Sequence, residues 1–180
     1  YELHPIRSLA MQFTTLLICN PSYSMSFTTE SRSIFLNAAM NGIMEIDTSD
    51  EGTTAFLLND EDDSNNNNSG QLSVMIDISD NENDNGNGST GHLAATACSC
   101  LEQMANSFDS KEIVNTCVQV AWGMVNQPDW FARRAALVIT SIVCEGCSKE
   151  IYEILPQLVP SLLNLAQDPH PRVRYVSLHC

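Results

Sequence analysis

The chain has 180 residues, 43 % of them hydrophobic and 7 % aromatic, enough for one buried core or for three to four stacked helical units. Its 8 Lys and Arg face 22 Asp and Glu, a formal net charge of −14, which argues against a direct DNA or RNA ligand because phosphate binding needs a basic face. No apolar run is long enough to span a membrane, and Tyr1 is not followed by the basic start and apolar run of a signal peptide.

The charge is concentrated in one place. No Lys or Arg lies between Arg32 and Lys111, and twelve acids fall between Glu45 and Asp84, leaving 10 acids against 8 bases elsewhere. The body of the chain is therefore nearly neutral, and one acidic segment favours basic partners, although such a run also serves simply as a solvated loop.

Taken from the start, residues 5–19 and 30–46 read as two helices, the first opened by Pro5, where a missing N–H costs nothing. Asn20, Pro21 and Ser22 read as the loop between them. Residues 47–91 are polar, with an Asn65–Asn68 run and an Asp/Asn/Gly-rich stretch after Asp80, and are expected to form a flexible insertion because they hold too little apolar surface to offset chain entropy. Within it, the alternation over Leu72–Ile78 suits either a transient strand or a short docked segment.

From His92 onward the pattern is helical. Leu93, Ala97, Cys100, Leu101 and Met104 share one helix face, as do Ile113, Cys117, Val120, Ala121 and Met124. Two further sets follow: Leu137, Val138, Ile142 and Val143, then Ile154, Leu155, Leu158, Leu162 and Leu165. With no comparable run of strands, the predicted class is all-α.

The pattern also repeats. Gln127–Arg134 reads QPDWFARR and Gln167–Arg174 reads QDPHPRVR, so Gln127 to Gln167 and Arg134 to Arg174 are both 40 residues apart. His4–Pro5–Ile6–Arg7 enters the first helix on the same theme. A period of about 40 built from two antiparallel helices is that of a HEAT repeat. Pro160, Asp168, Val173 and Arg174 match its consensus: a helix-A proline, a turn aspartate, then valine and arginine early in helix B. Pro160 is expected to bend its helix, Asp168 to accept from free N–H groups at the start of helix B, and Arg174 to pair with turn aspartates. The middle unit has Val120 in place of the proline, and its turn aspartate, Asp129, lies one residue later relative to Arg134. The predicted array is an α-α superhelix: a lone helix B at 5–19, then 30–46 with 92–107, 110–126 with 129–146, and 150–166 with 171–180. Residues 47–91 then form an insertion between the two helices of one unit. Both chain ends read as cut from something longer.

Pro128–Asp129–Trp130, Glu145–Gly146–Cys147 and DPHPRVRY at Asp168–Tyr175 resemble the karyopherin-β (importin-β) receptors, nearest their karyopherin-β3, or importin-five, branch. IRSLAMQFTTLLI resembles the helix before that branch's acidic region, and NDEDDSN falls where the family carries an acidic loop. The likeness covers about 140 residues, everything except the Asn-rich stretch. It implies a shuttling carrier that binds basic transport signals in the cytoplasm and releases them to Ran-GTP in the nucleus, with nucleoporins as further partners and no cofactor or enzyme activity. The family's B helices line the concave face that holds cargo. Candidate partner-binding residues are therefore Asp60, Glu61, Asp62 and Asp63 in the loop, and Glu102 and Glu145 on predicted B helices, although solvated helix surface also accounts for the last two. A HEAT scaffold subunit holding a multiprotein assembly together is the alternative.

Other features read as structural. Cys144 and Cys147 form a C-x-x-C and Cys98 and Cys100 a C-x-C, but their separation suits no zinc ribbon and they lack a βαβ context, so all seven cysteines are expected to be packing residues in a reducing compartment. His4 and His170 each precede a proline at a turn, and no nucleophile can be tied to a base. Trp130 is expected to staple neighbouring repeats, and Trp122 to face either the convex side or the core between helices A and B.

Overall fold

The structure, a computed structural model, describes residues 4–45 and 89–180. Among them every regular element is a helix: α1 (His4–Cys19), α2 (Pro21–Ser24), α3 (Thr29–Ile43), α4 (Ser89–Ser107), α5 (Ser110–Val125), α6 (Trp130–Gly146), α7 (Ser148–Leu165) and α8 (Pro171–His179). The acidic run at 60–63 and the alternation at 72–78 lie outside the described residues.

Local chemistry explains several boundaries. The Asp109 carboxylate accepts from the amides of Lys111 and Glu112 and starts α5, while the Thr28 hydroxyl accepts from the Ser31 amide and starts α3. The expected loop at 20–22 is instead the first part of a helical turn. Asn20 caps it by accepting from the Ser22 amide, and Pro21 fits its first position, so the residues read as breakers also open α2. Two prolines, Pro156 and Pro160, sit inside α7. Each removes an N–H, which leaves the carbonyls of Tyr152 and Pro156 without intrahelical donors; all three residues are exposed, so water can serve those carbonyls.

The helices pack in two layers. In one, α1 lies on α4, α4 on α6 and α6 on α8; in the other, α3 meets α5 and α5 meets α7. Across the layers α3 packs on α4, α5 on α6 and α7 on α8. The core runs along the seam. It is densest around α6, where Ala132 and every residue from Arg134 to Val143 are buried. Approach is close where side chains are small: a Cβ added at Gly42 of α3 would stand 3.0 Å from Ala97 Cβ of α4. This is the all-α, paired-helix superhelix that the periodicity predicts.

Candidate functional site

The joint between α6 and α8 is built around one carboxylate. Asp168, buried in the turn before α8, accepts from Arg133 Nε at 2.7 Å, from Arg133 Nη2 at 3.0 Å and from the His170 amide at 2.8 Å. Burial pushes its carboxyl up, but these donors and the surrounding positive charge outweigh burial and hold it below the usual carboxylate range. Arg133 Nη1 also donates to the carbonyls of Gln127 and Pro128, at 2.9 and 2.8 Å. Arg174 Nη1 makes the corresponding bonds to the carbonyls of Asp168 and Pro169, at 2.8 and 3.0 Å.

That correspondence revises the register. Arg133, not Arg134, occupies in its turn the place of Arg174, so the structural period here is 41 residues and Gln127 stands where Asp168 does. Arg174 bonds turn carbonyls rather than an aspartate side chain; the ion pair across the joint belongs to Arg133. Arg134 is buried close enough to Cys98 to oppose the effect of burial, which still pushes that thiol up to about 12. Sequence reasoning missed Arg133 because two adjacent arginines fit periods of 40 and 41 equally well.

Trp130, the first residue of α6, stacks on His170 with ring centroids 3.9 Å apart, and the Arg172 guanidinium lies 5.6 Å from the indole centroid. Val173 is wholly buried beside them, whereas Pro160 is exposed on α7.

The α1–α4–α6–α8 layer also presents an open surface. Glu102 on α4 is half-buried and Glu145 on α6 is exposed. Burial, then the negative charge of Glu145, raises the Glu102 carboxyl above its usual range, so the two predicted acids lie on adjacent helices within electrostatic reach of each other. Beside them, between α1 and α4, a groove of about 400 Å³ is lined by Gln12, Leu16, Ala95, Thr96, Ser99, Cys100 and Gln103. On the opposite layer a cleft of about 380 Å³ separates α5 from α7. Trp122, Val118, Leu158 and Leu162 make its apolar walls, Leu137 of α6 lies among its lining, and Asn126, Ser161 and Asn164 supply polar groups.

All seven cysteines are free. Burial pushes the Cys98, Cys117 and Cys180 thiols up to about 12, the opposite of the depressed value a reactive thiolate needs. Among the described residues no group of three or more His, Cys, Asp or Glu side chains could hold a metal ion.

The fold defines the class: among the described residues this is an all-α array of paired helices, and the HEAT-like repeat family matches residues 130–179. Within that class, the chain is similar to importin subunit beta-3 of Saccharomyces cerevisiae, 28 % identical over 75 residues. Those residues are 42 % of this chain and 7 % of the relative, so the match spans a small part of the relative's length. Crystal structures of Kap121p bound to Pho4p, to Nup53p and to RanGTP superpose on 98 % of this chain and 17 % of theirs, each with a TM-score of 0.50 and 19 % identity. That likeness establishes the shared solenoid fold.

Proposed function

We propose that the chain is a cargo-binding stretch of a karyopherin-type nuclear transport receptor that shuttles between cytoplasm and nucleus. The observation that carries this reading is the similarity to importin subunit beta-3, which lies in sequence as well as in fold. The repeat division is one helix B (α1) followed by three units: α3 with α4, α5 with α6, and α7 with α8. Glu102 and Glu145 lie on the helix-B layer and form an acidic patch complementary to lysine-rich transport signals, with Asp60, Glu61, Asp62 and Asp63 as a second acidic element. Ran in its GTP form releases the cargo, and the α5–α7 cleft on the helix-A layer receives nucleoporin side chains. Kap121p, the solved relative, has been captured with a partner of each kind, RanGTP and Nup53p. The chain acts by binding, and Trp130, Arg133, Arg134, Pro160, Asp168, Val173 and Arg174 serve the scaffold.

The test is a titration of the chain with a fluorescein-labelled lysine-rich peptide, followed by GTP-loaded Ran. Saturable binding that weakens with salt, falls about tenfold in Glu102→Lys/Glu145→Lys and is reversed by Ran is the expected result. Binding indifferent to both charge reversal and Ran would sink the transport reading and leave a HEAT scaffold.

A further inference from the structure

Arg32, in the first turn of α3, lacks the partner expected of a cation in a chain with a net charge of −14. Arg7 pairs with Glu45 and Arg133 with Asp168, but among the described residues no carboxylate pairs with Arg32. Its guanidinium has two neutral supports instead. Nη2 donates to the Ser24 carbonyl at 2.6 Å, and the group lies 5.2 Å from the centre of the Phe108 ring. Nε is buried with no hydrogen-bond partner among the described residues. A guanidinium carries five N–H donors in a planar fork, so this one is partly used and its charge is not offset. An anion with several acceptor oxygens completes it.

The residue that Arg32 already holds belongs to a turn rich in hydroxyls: Ser22, Tyr23, Ser24, Ser26 and Thr28. The Thr28 hydroxyl is engaged in capping α3, whereas the Ser24 hydroxyl makes one long bond, 3.4 Å, to the Pro21 carbonyl. None of the residues of α2 is buried, so opening this turn exposes nothing from the core and a kinase can reach Ser24 at little cost. Because Arg32 bonds the carbonyl of that same residue, a phosphoryl group on Ser24 Oγ comes within reach of the unused N–H groups. The other titratable groups around the turn are Cys19 at the end of α1, Tyr23 of α2, Glu30 of α3 and, beyond Phe108, Asp109 and Lys111. Asp109 is committed to the amides that start α5.

We infer that Ser24 is a phosphorylation site and that Arg32 receives its phosphate. The γ-phosphoryl group of a nucleoside triphosphate passes to Ser24 Oγ. The bond from the γ-phosphorus to the bridging oxygen breaks, the new O–P bond forms, the hydroxyl proton goes to solvent and the nucleoside diphosphate leaves. A charge of about −2 then sits against the guanidinium, and charge-assisted hydrogen bonds join α2 to α3 and, through Phe108, to the end of α4. The modification stiffens the passage from α1 to α3 and uses none of the acids proposed to bind basic signals.

The whole chain is incubated with a eukaryotic cell extract and ATP labelled at its γ-phosphate, and the label is mapped by mass spectrometry. Label on Ser24 that Ser24→Ala loses is the expected result; label confined to other hydroxyls, or none, overturns the site. In a chain carrying Ser24→phosphoserine, introduced during translation, phosphorus NMR follows the second phosphate ionisation. Arg32 favours the dianion, so this ionisation is expected about half a unit or more below its ordinary value of about 6. It returns to that value in urea, which needs no variant, and in Arg32→Gln, whose fold circular dichroism checks. Phosphorylation is also expected to raise the melting temperature by about 2 °C or more in the native chain and not in Arg32→Gln. A phosphate that titrates alike in the folded chain, in urea and in Arg32→Gln has no receiver, and overturns the inference.

Discussion

The Asp168 carboxylate ties two turns of the array together. It takes both prongs of the Arg133 fork across the joint and the His170 amide within its own turn. The pair is largely shielded, with side-chain exposures of 13 % for Arg133 and 5 % for Asp168, so it is not the screened surface ion pair that contributes almost nothing. Removing Arg133 leaves a carboxylate out of water with one donor remaining. Arg133→Ala is expected to cost about 1.5–3 kcal/mol, the range for hydrogen bonds to charged groups, measured by urea unfolding. Arg174→Ala loses bonds to neutral carbonyls only and should cost less; equal losses would contradict this ranking. The carboxyl is held below its unfolded value, so its contribution is fully present above the unfolded carboxylate pKa of about 3.9 and disappears as pH falls through the lower folded value. The native chain should lose stability on acidification through that window, and Asp168→Asn should lose less.

At the scale of the element, the closest approach at a described glycine joins α6 to α4. A Cβ added at Gly146, at the end of α6, would stand 2.8 Å from Ala105 Cβ on α4, and neither atom belongs to a side chain that can swing aside. Alanine at this position gains up to about 1 kcal/mol of helix propensity but forces the two helices apart, an overpacking cost of about 1–3 kcal/mol. Gly146→Ala is therefore expected to lower the melting temperature, and adding Ala105→Gly to restore much of it; additive losses in the double variant would show that the contact is not the cause.

Most of the helices were legible in the sequence, because their apolar residues recur with the period of a helix face and several of their starts carry Pro or Asp. Three things were not. The turn at Pro21–Ser24 is made by residues that signal a break and a helix start alike. The register of the arginines is ambiguous between two neighbours until carbonyl partners distinguish them. That Glu102 feels the charge of Glu145 depends on the packing of α4 on α6, which no local pattern encodes.

In the molecule as a whole, each helix pair is held by its neighbours, so the two ends of the array carry apolar faces of their own. On α1, Ile6, Leu9, Phe13 and Leu16 are each more than 60 % exposed and form a stripe, with Leu16 at its edge beside the α1–α4 groove. At the other end Tyr152, Val159 and Leu163 form a stripe on α7, and Leu178 of α8 is 73 % exposed. Contiguous apolar surface of this kind drives association, while a net charge of −14 opposes it. Charge repulsion is screened by salt and burial of apolar surface is not, so salt decides between them. The mass measured by light scattering should rise with protein concentration, and more steeply at high than at low ionic strength. Phe13→Glu and Leu163→Glu each place a charge in one stripe, and should reduce association with little effect on unfolding, as exposed substitutions generally do. A chain that stays monomeric at high concentration and high salt would show that these faces are too small or too divided to bind one another.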